Sequence, residues 1–232
     1  MLDRPPVTIV MTTWMPEGPV GESRRRSARA ALDSWRLHLD YAGQLRLHIA
    51  DDGSPVEDLV YAVGARLDGF WPVSGSRQQR RGVGASLNAG LATAWYASPL
   101  AAYFVDDWGL TAPFDLTPWA ELLVDDETVG MVRLGPPHPW LTGTVELFAQ
   151  GWAMRLERHH YAFGHRPALY HKRFFDAYGE FREGVSAFEC ERLYAEGFCS
   201  RPGPDIVYAL PYPWLHVGEA EVGDVEPVEA ST

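Results

Sequence analysis

Three pairs of adjacent polar residues carry the chemistry that this sequence can offer: Thr12–Thr13, Asp51–Asp52 and Asp106–Asp107. Each closes a run of apolar and β-branched residues, in "VTIVMTT", "LRLHIADD" and "AAYFVDD". Two adjacent carboxylates repel each other and stay ionised only beside a cation, several donors or open water. Hard oxygen donors of this kind suit Mg²⁺ or Mn²⁺, ions that partner diphosphates. Neighbours on an extended strand point to opposite faces. Asp106 and Asp107 are therefore expected to divide the work, one on a divalent ion and the other on a nearby hydroxyl. Helix capping explains any single pair equally well, but three pairs together call for a common site.

The elements that would position these pairs follow from periodicity. "PVTIVMTTW" reads as a buried strand, and Ala28, Ala31, Leu32, Trp35 and Leu39 mark a helix from about Gly21 to Tyr41. "QLRLHIADDGSP" is a strand ended by a turn, with a short strand at "GFWPVS" and a helix from about Gly84 to Tyr96. "AAYFV" is the next strand, and "TPWAELL" opens a helix with Thr117 as N-cap and Pro118 at its first position. "TVGMVRLG" reads as a further strand. This alternation predicts an α/β fold with a parallel sheet. Ligands of such sheets bind at the carboxyl ends of the strands, where all three polar pairs would lie. After Gly135 the pattern turns mixed, with a hairpin in "TVELFAQGWAMRLERHH", one helix near Phe188–Glu196 and a strand-like "DIVYAL".

Composition narrows the partners. A formal charge of −11 argues against a broad nucleic-acid-gripping face. No apolar run approaches the roughly 20 residues of a transmembrane segment, and "MLDRPPVTIV" lacks a signal-peptide pattern, so a cytoplasmic location is expected. The two cysteines, Cys190 and Cys199, form no paired motif. The acidic stretch from Val217 to Thr232 reads as a disordered tail. There is no Gly-x-x-x-x-Gly-Lys-Ser/Thr loop, and "GVGASLNAG" lacks the dinucleotide spacing.

Together "VTIVMTTW", "IADDGSP", "GVGASLNAGLATA" and "YFVDDW" resemble the nucleotide-binding half of a GT-A fold glycosyltransferase, most of all the family 2 group of inverting enzymes. The resemblance implies a Rossmann-like, mostly parallel central sheet flanked by helices, with an elaborated mixed α+β C-terminal half. It divides one domain, residues 1–216, into a nucleotide-sugar half (about 1–110) and an acceptor and base half (about 111–216). It implies that Thr12 and Asp52 contact the nucleobase, with Thr13 and Asp51 beside them. Asp106 would face the sugar-nucleotide and Asp107 the metal, Mn²⁺ or Mg²⁺. A basic residue of "RQQRRG", Arg81 foremost, would reach the phosphates, and Asn88 on the following helix would either join the nucleotide site or only pin the loop over it. The donor would be a nucleoside diphosphate sugar such as a UDP-sugar. The acceptor hydroxyl, on a glycan, a protein or another molecule, is left open.

An inverting transfer needs one carboxylate to deprotonate the acceptor. In "GEFREGVSAFECERLYAEG" the resemblance points to Glu189 first, Glu191 second and Glu183 as an outsider. Positions two apart on a helix face differently, so only one of Glu189 and Glu191 should enter the cleft. The late His216 is a candidate second metal ligand, and His159, His160, His165 and His171 mark a candidate acceptor surface. Trp14, Trp108, Trp140, Trp152 and Trp214 are either sugar platforms or core. Two rival readings stand beside this one: a non-catalytic GT-A-like module that binds a nucleotide-sugar or glycan, and a sugar nucleotidylyltransferase. The second would need a Gly-rich basic loop where "MTTWMPEGP" stands.

Overall fold

The computed structural model describes residues 4–55, 70–137, 141–159 and 163–218. Among the described residues its centre is a nine-stranded sheet. The first half supplies β1 (Val7–Thr13), β3 (Leu45–Asp51), β4 (Val73–Arg77) and β5 (Leu100–Val105). These four lie side by side in the order β4-β3-β1-β5, all parallel. The second half adds β8 (Val129–Arg133), the hairpin β9 (Gly143–Phe148) and β10 (Gly151–Leu156), then β11 (Ala168–His171) and β12 (Asp205–Ala209). They extend the sheet from β5 in the order β11-β8-β12-β10-β9. Only β11 and β10 run against the other seven strands. The mostly parallel α/β reading thus describes the sheet. The antiparallel β11 separates β5 from β8, an insertion that a strand-by-strand reading of residues 100–133 does not contain.

Helices cover both faces. On one side α1 (Gly18–His38) buries Ala28, Ala31, Leu32 and Trp35, the stripe its periodicity predicts. Full burial of an aromatic side chain such as Trp35 contributes about 3 kcal/mol. The helix ends where Leu39–Asp40 turn extended to form β2, which pairs with β7 (Phe114–Asp115). On the same side α3 (Thr117–Asp125) starts one residue earlier than expected. Leu116 is its N-cap, whereas Thr117 occupies the first helical position and accepts the Ala42 N–H on its hydroxyl at 2.8 Å.

On the other face α2 (Val83–Trp95) lies against β1 and β3. Gly90 permits that approach, since a Cβ there would stand 2.4 Å from Val10 Cγ1. The same face carries α4 (Lys172–Tyr178) and α5 (Ala187–Ser200), packed through Phe174, Phe175, Tyr194 and Phe198. Ser186 caps α5 by accepting the Glu189 N–H at 3.2 Å. A small ribbon of β6 (Trp108–Leu110) and β13 (Trp214–His216) closes the C-terminal end against α1. Val217, the first residue of the expected tail, instead packs against the core, and its N–H donates to Asp107 O at 2.7 Å. Residues 219–232 lie outside the described residues. Among the described residues no helix is long and apolar enough to cross a membrane.

Candidate active site

The register of β1 with its neighbours pairs Thr13 with Asp51 and Thr12 with Val105, so the three polar pairs converge on one sheet edge. A cleft of about 1130 Å³ opens there. Thr12, Thr13, Asp52, Arg81, Asp107, Glu189, Glu191 and His216 all line it.

The two members of each pair part company. Asp51 turns away from the cleft and closes the β3 turn, accepting the Ser54 N–H at 2.9 Å and the Ser54 hydroxyl. Gly53, at φ +77°, supplies the left-handed residue that this turn needs. A nucleotide contact for Asp51 therefore does not fit its placement. Asp52 faces the cleft, and its carboxylate accepts the backbone N–H groups of Arg81 (2.8 Å) and Gly82 (2.9 Å). It holds the 80–82 loop at the cleft wall.

Asp106 is fully buried, accepting the Thr13 hydroxyl at 3.0 Å and Arg24 Nη2 at 3.1 Å. Burial pushes its carboxyl up to about 6, opposed by the Arg24 guanidinium and reinforced by the Asp107 charge. It is a buried anchor for α1 and β1, and a direct sugar-nucleotide contact from Asp106 does not fit that burial. Asp107 points the other way, into the cleft. Its Oδ2 lies 3.1 Å from His216 Nε2, and its Oδ1 is buried with no hydrogen-bond partner among the described residues. The β6–β13 ribbon makes this meeting, since it pairs His216 with Trp108. Two anchors on α1 fix the ribbon: Trp35 Nε1 donates to Trp108 O at 2.8 Å, and Leu110 N–H donates to Ser34 Oγ at 2.9 Å. The hydrogen bond to Asp107 raises the His216 imidazole above its ordinary value.

An orphaned carboxylate oxygen beside an imidazole is a donor set that fits a divalent ion of the Mn²⁺ or Mg²⁺ type. Asp107 and His216 could supply two such ligands. No group of three or more His, Cys, Asp or Glu able to hold a metal occurs among the described residues. The remaining positions would belong to water and substrate oxygens.

Both candidate bases of α5 line the cleft, where only one was expected to, but their surroundings differ. Glu189 is held by Arg192, which donates to it at 2.6 and 2.8 Å, and this pairing depresses its carboxyl. Glu191 turns inward, and burial raises its carboxyl although Arg133 and Arg166 oppose the shift. Its Oε1 accepts the His165 N–H. Glu183 and Arg81 form an ion pair. Asn88 lies outside the cleft lining: its side chain donates to Phe181 O at 3.0 Å and accepts the Phe181 N–H at 2.9 Å. Of the two expected roles for Asn88 this placement matches the second, pinning the chain at Phe181 to α2, and a nucleotide contact does not fit it.

The histidines and tryptophans also sort themselves. His165 lines the cleft, His171 instead caps α4, and His160 lies outside the described residues. Trp14 and Trp108 line the cleft, with the Arg80 guanidinium 3.7 Å from the Trp14 ring centroid. Trp214 is core, Trp152 is exposed on β10, and Trp140 lies outside the described residues. Arg24, Tyr103, Arg133 and Arg166 line the cleft without having been singled out in the sequence. Arg133 alone left a legible signal, since it ends the predicted strand "TVGMVR" at the ligand-bearing edge.

No family model matches the chain, and no curated protein matches its sequence. Solved structures do resemble it. S. aureus TarS 1-349 in complex with UDP-GlcNAc aligns with a TM-score of 0.58 at 12% identity, covering 93% of this chain and 61% of that one. GalNAc-T7 with UDP, GalNAc and Mn²⁺ aligns at 0.60 and 13%, covering 90% and 43%. The mannosyltransferase PcManGT from Pyrobaculum calidifontis, with GDP-Man and Mn²⁺, aligns at 0.53 and 17%, covering 90% and 57%. The chain thus spans about 60% of the TarS 1-349 length. At these identities the likeness establishes a GT-A glycosyltransferase fold.

Proposed function

We propose that this GT-A-fold chain is a glycosyltransferase that moves a sugar from a nucleoside diphosphate sugar to an acceptor hydroxyl, with inversion and with a divalent metal. One observation carries the reading. One cleft at the carboxyl edge of the sheet is lined by Asp52, the Asp107–His216 pair and the inward-turned Glu191 of α5. Nucleotide-sugars and Mn²⁺ in the complexes of the structural neighbours support it.

In this reading Thr12 and Asp52 flank the nucleobase side, and Arg80 on Trp14 closes that wall. Asp107 and His216 would hold the metal, whose charge offsets that of the departing diphosphate. Glu191 takes the acceptor proton as the acceptor oxygen forms its bond to the anomeric carbon and the bond to the diphosphate breaks. The electron pair of the broken bond leaves with the diphosphate, and attack from the opposite face inverts the centre. A base must be ionised and yet hold a proton once it has one, which the raised carboxyl of Glu191 serves better than the depressed one of Glu189. The sequence reading ranks the two the other way, Glu189 first and Glu191 second.

A non-catalytic module is the competing reading, favoured by the burial of Asp106, which leaves a single carboxylate of that pair to face a metal. Calorimetry with UDP and GDP, with and without Mn²⁺, followed by release of free nucleotide from a panel of nucleotide-sugars, separates the two. Nucleotide binding without donor turnover for any sugar would favour the module. No nucleotide binding at all would remove both.

A further inference from the structure

His165 stands beside Glu191, to which its backbone N–H donates. Its imidazole lines the cleft and packs among aromatic side chains, with the ring centres of Phe163, Tyr103 and Phe181 at 5.8, 5.9 and 6.1 Å. Both ring nitrogens are covered, and neither has a hydrogen-bond partner among the described residues. Burial, helped by the Arg133 charge, pushes the imidazole down to about 4, so the ring is neutral at physiological pH. A neutral imidazole carries one donor and one acceptor. Leaving both unmade destabilises a fold, and a phenyl ring of similar shape would avoid that cost. Packing alone therefore gives no reason for a histidine here.

A second side chain of the cleft is as poorly explained by packing. Phe188 lines the cleft with 70% of its surface exposed. It lies three residues before Glu191 on α5, so the two share a helix face. An exposed aromatic ring and a neutral donor–acceptor pair near one carboxylate suit a sugar ring. Such a ring has an apolar C–H face and a rim of hydroxyls, each able to donate and accept. We propose that His165 and Phe188 form a sugar-ring subsite at Glu191. The acceptor is a pyranoside: its C–H face rests on Phe188, and the hydroxyl next to the attacking one bonds a ring nitrogen of His165. That nitrogen reaches the cleft surface by a turn about the Cβ–Cγ bond, a soft torsion in histidine. A serine or threonine hydroxyl would engage Glu191 alone and leave both side chains without a role. The assignment rests on the reading of Glu191 as the base of a glycosyltransferase. The sugar of the donor is the other source of the same chemistry.

The test titrates the full chain by saturation-transfer NMR, in Mg²⁺, with and without saturating UDP. The probes are the methyl pyranosides of glucose, galactose, mannose and N-acetylglucosamine; glycerol and N-acetylserinamide are the controls. At least one pyranoside should bind while neither control does. His165→Phe should weaken that binding about tenfold, the worth of one lost hydrogen bond, and hold the thermal midpoint at or above that of the wild type. UDP affinity should change less than about threefold, as for a separate site. Phe188→Ala, at an exposed side chain, should also weaken pyranoside binding, and Phe188→Tyr, which keeps the ring, should restore it. Unchanged pyranoside affinity in either His165→Phe or Phe188→Ala would overturn the proposal, as would controls that bind as well as the pyranosides. With a nucleotide-sugar that is turned over, equal slowing of donor hydrolysis and of transfer in His165→Phe would assign the ring to the donor sugar and overturn it too. No pyranoside binding by a chain that binds UDP would remove the subsite and leave the donor reading intact. Pyranoside binding that His165→Phe abolishes, in a chain that does not bind UDP, would keep the subsite while the donor reading falls.

Discussion

His216 Nε2 stands 3.1 Å from one oxygen of Asp107, and the other oxygen of that carboxylate is buried without a partner. The two residues are separated by more than a hundred positions and meet because β13 pairs with β6 in the register that sets His216 opposite Trp108. If they hold a metal together, Asp107→Ala and His216→Ala should each abolish Mn²⁺-dependent UDP binding by calorimetry. Nucleotide binding that is indifferent to Mn²⁺ in the wild type would refute the pair as ligands.

The same pair predicts a pH dependence. Its hydrogen bond to Asp107 raises the His216 imidazole, so protonation persists to higher pH than in a free histidine. A metal needs the neutral ring. Mn²⁺-dependent UDP affinity should therefore rise as pH increases through and beyond the ordinary histidine range. Titration of affinity from pH 5.5 to 8.5, about the span over which an imidazole loses its proton, measures this.

The two glutamates of α5 should separate cleanly. Glu191→Gln is expected to lower transfer by roughly 10²–10⁴-fold, the usual worth of a general base. Glu189→Gln, at a residue occupied by Arg192, should stay within about threefold. Because burial raises the Glu191 carboxyl, the acidic limb of kcat/KM should lie above the ordinary glutamate range. A pH profile with that limb unchanged in Glu191→Gln would exclude it as the base.

Asn88 imitates a strand partner for the Phe181 backbone, donating to its carbonyl and accepting from its N–H. Asn88→Ala removes both bonds and leaves the Phe181 groups unpaired, at a cost of about 2 kcal/mol. For a chain of this size that lowers the thermal midpoint by roughly 4–8 °C. A midpoint within about 1 °C of the wild type, against that expectation, would mean that the loop is held elsewhere.

Asp106 links stability to pH. Burial raises its carboxyl to about 6 in the folded chain, so the native state binds this proton more tightly than the unfolded chain does. Its contribution is fully present below the unfolded value of about 4 and is lost as pH rises through the folded value. Asp106→Asn does not titrate. Wild-type stability relative to Asp106→Asn should therefore fall between about pH 4 and pH 6, the window set by the same two values. Parallel urea denaturation at several pH values tests this, and a constant difference would contradict it.

Much of the site was legible in the chain before folding. Apolar runs ending in Thr12–Thr13, Asp51–Asp52 and Asp106–Asp107 placed three polar pairs at strand ends, because parallel strands present their carboxyl ends together. The alternation of a strand also required Asp106 and Asp107 to diverge. What alternation cannot say is which member faces water, and only the packing of α1, with Arg24 reaching Asp106, decided that. The sheet order was likewise hidden, since β11 enters between β5 and β8 from far along the sequence. Glu189 and Glu191 are local equals in sequence, both acids in the opening turns of one helix. Burial against His165 and pairing with Arg192 set them apart, and both depend on which side of α5 meets the sheet. Local pattern determined where polar groups could gather; the non-local packing of α1, β11 and α5 determined which of them meet.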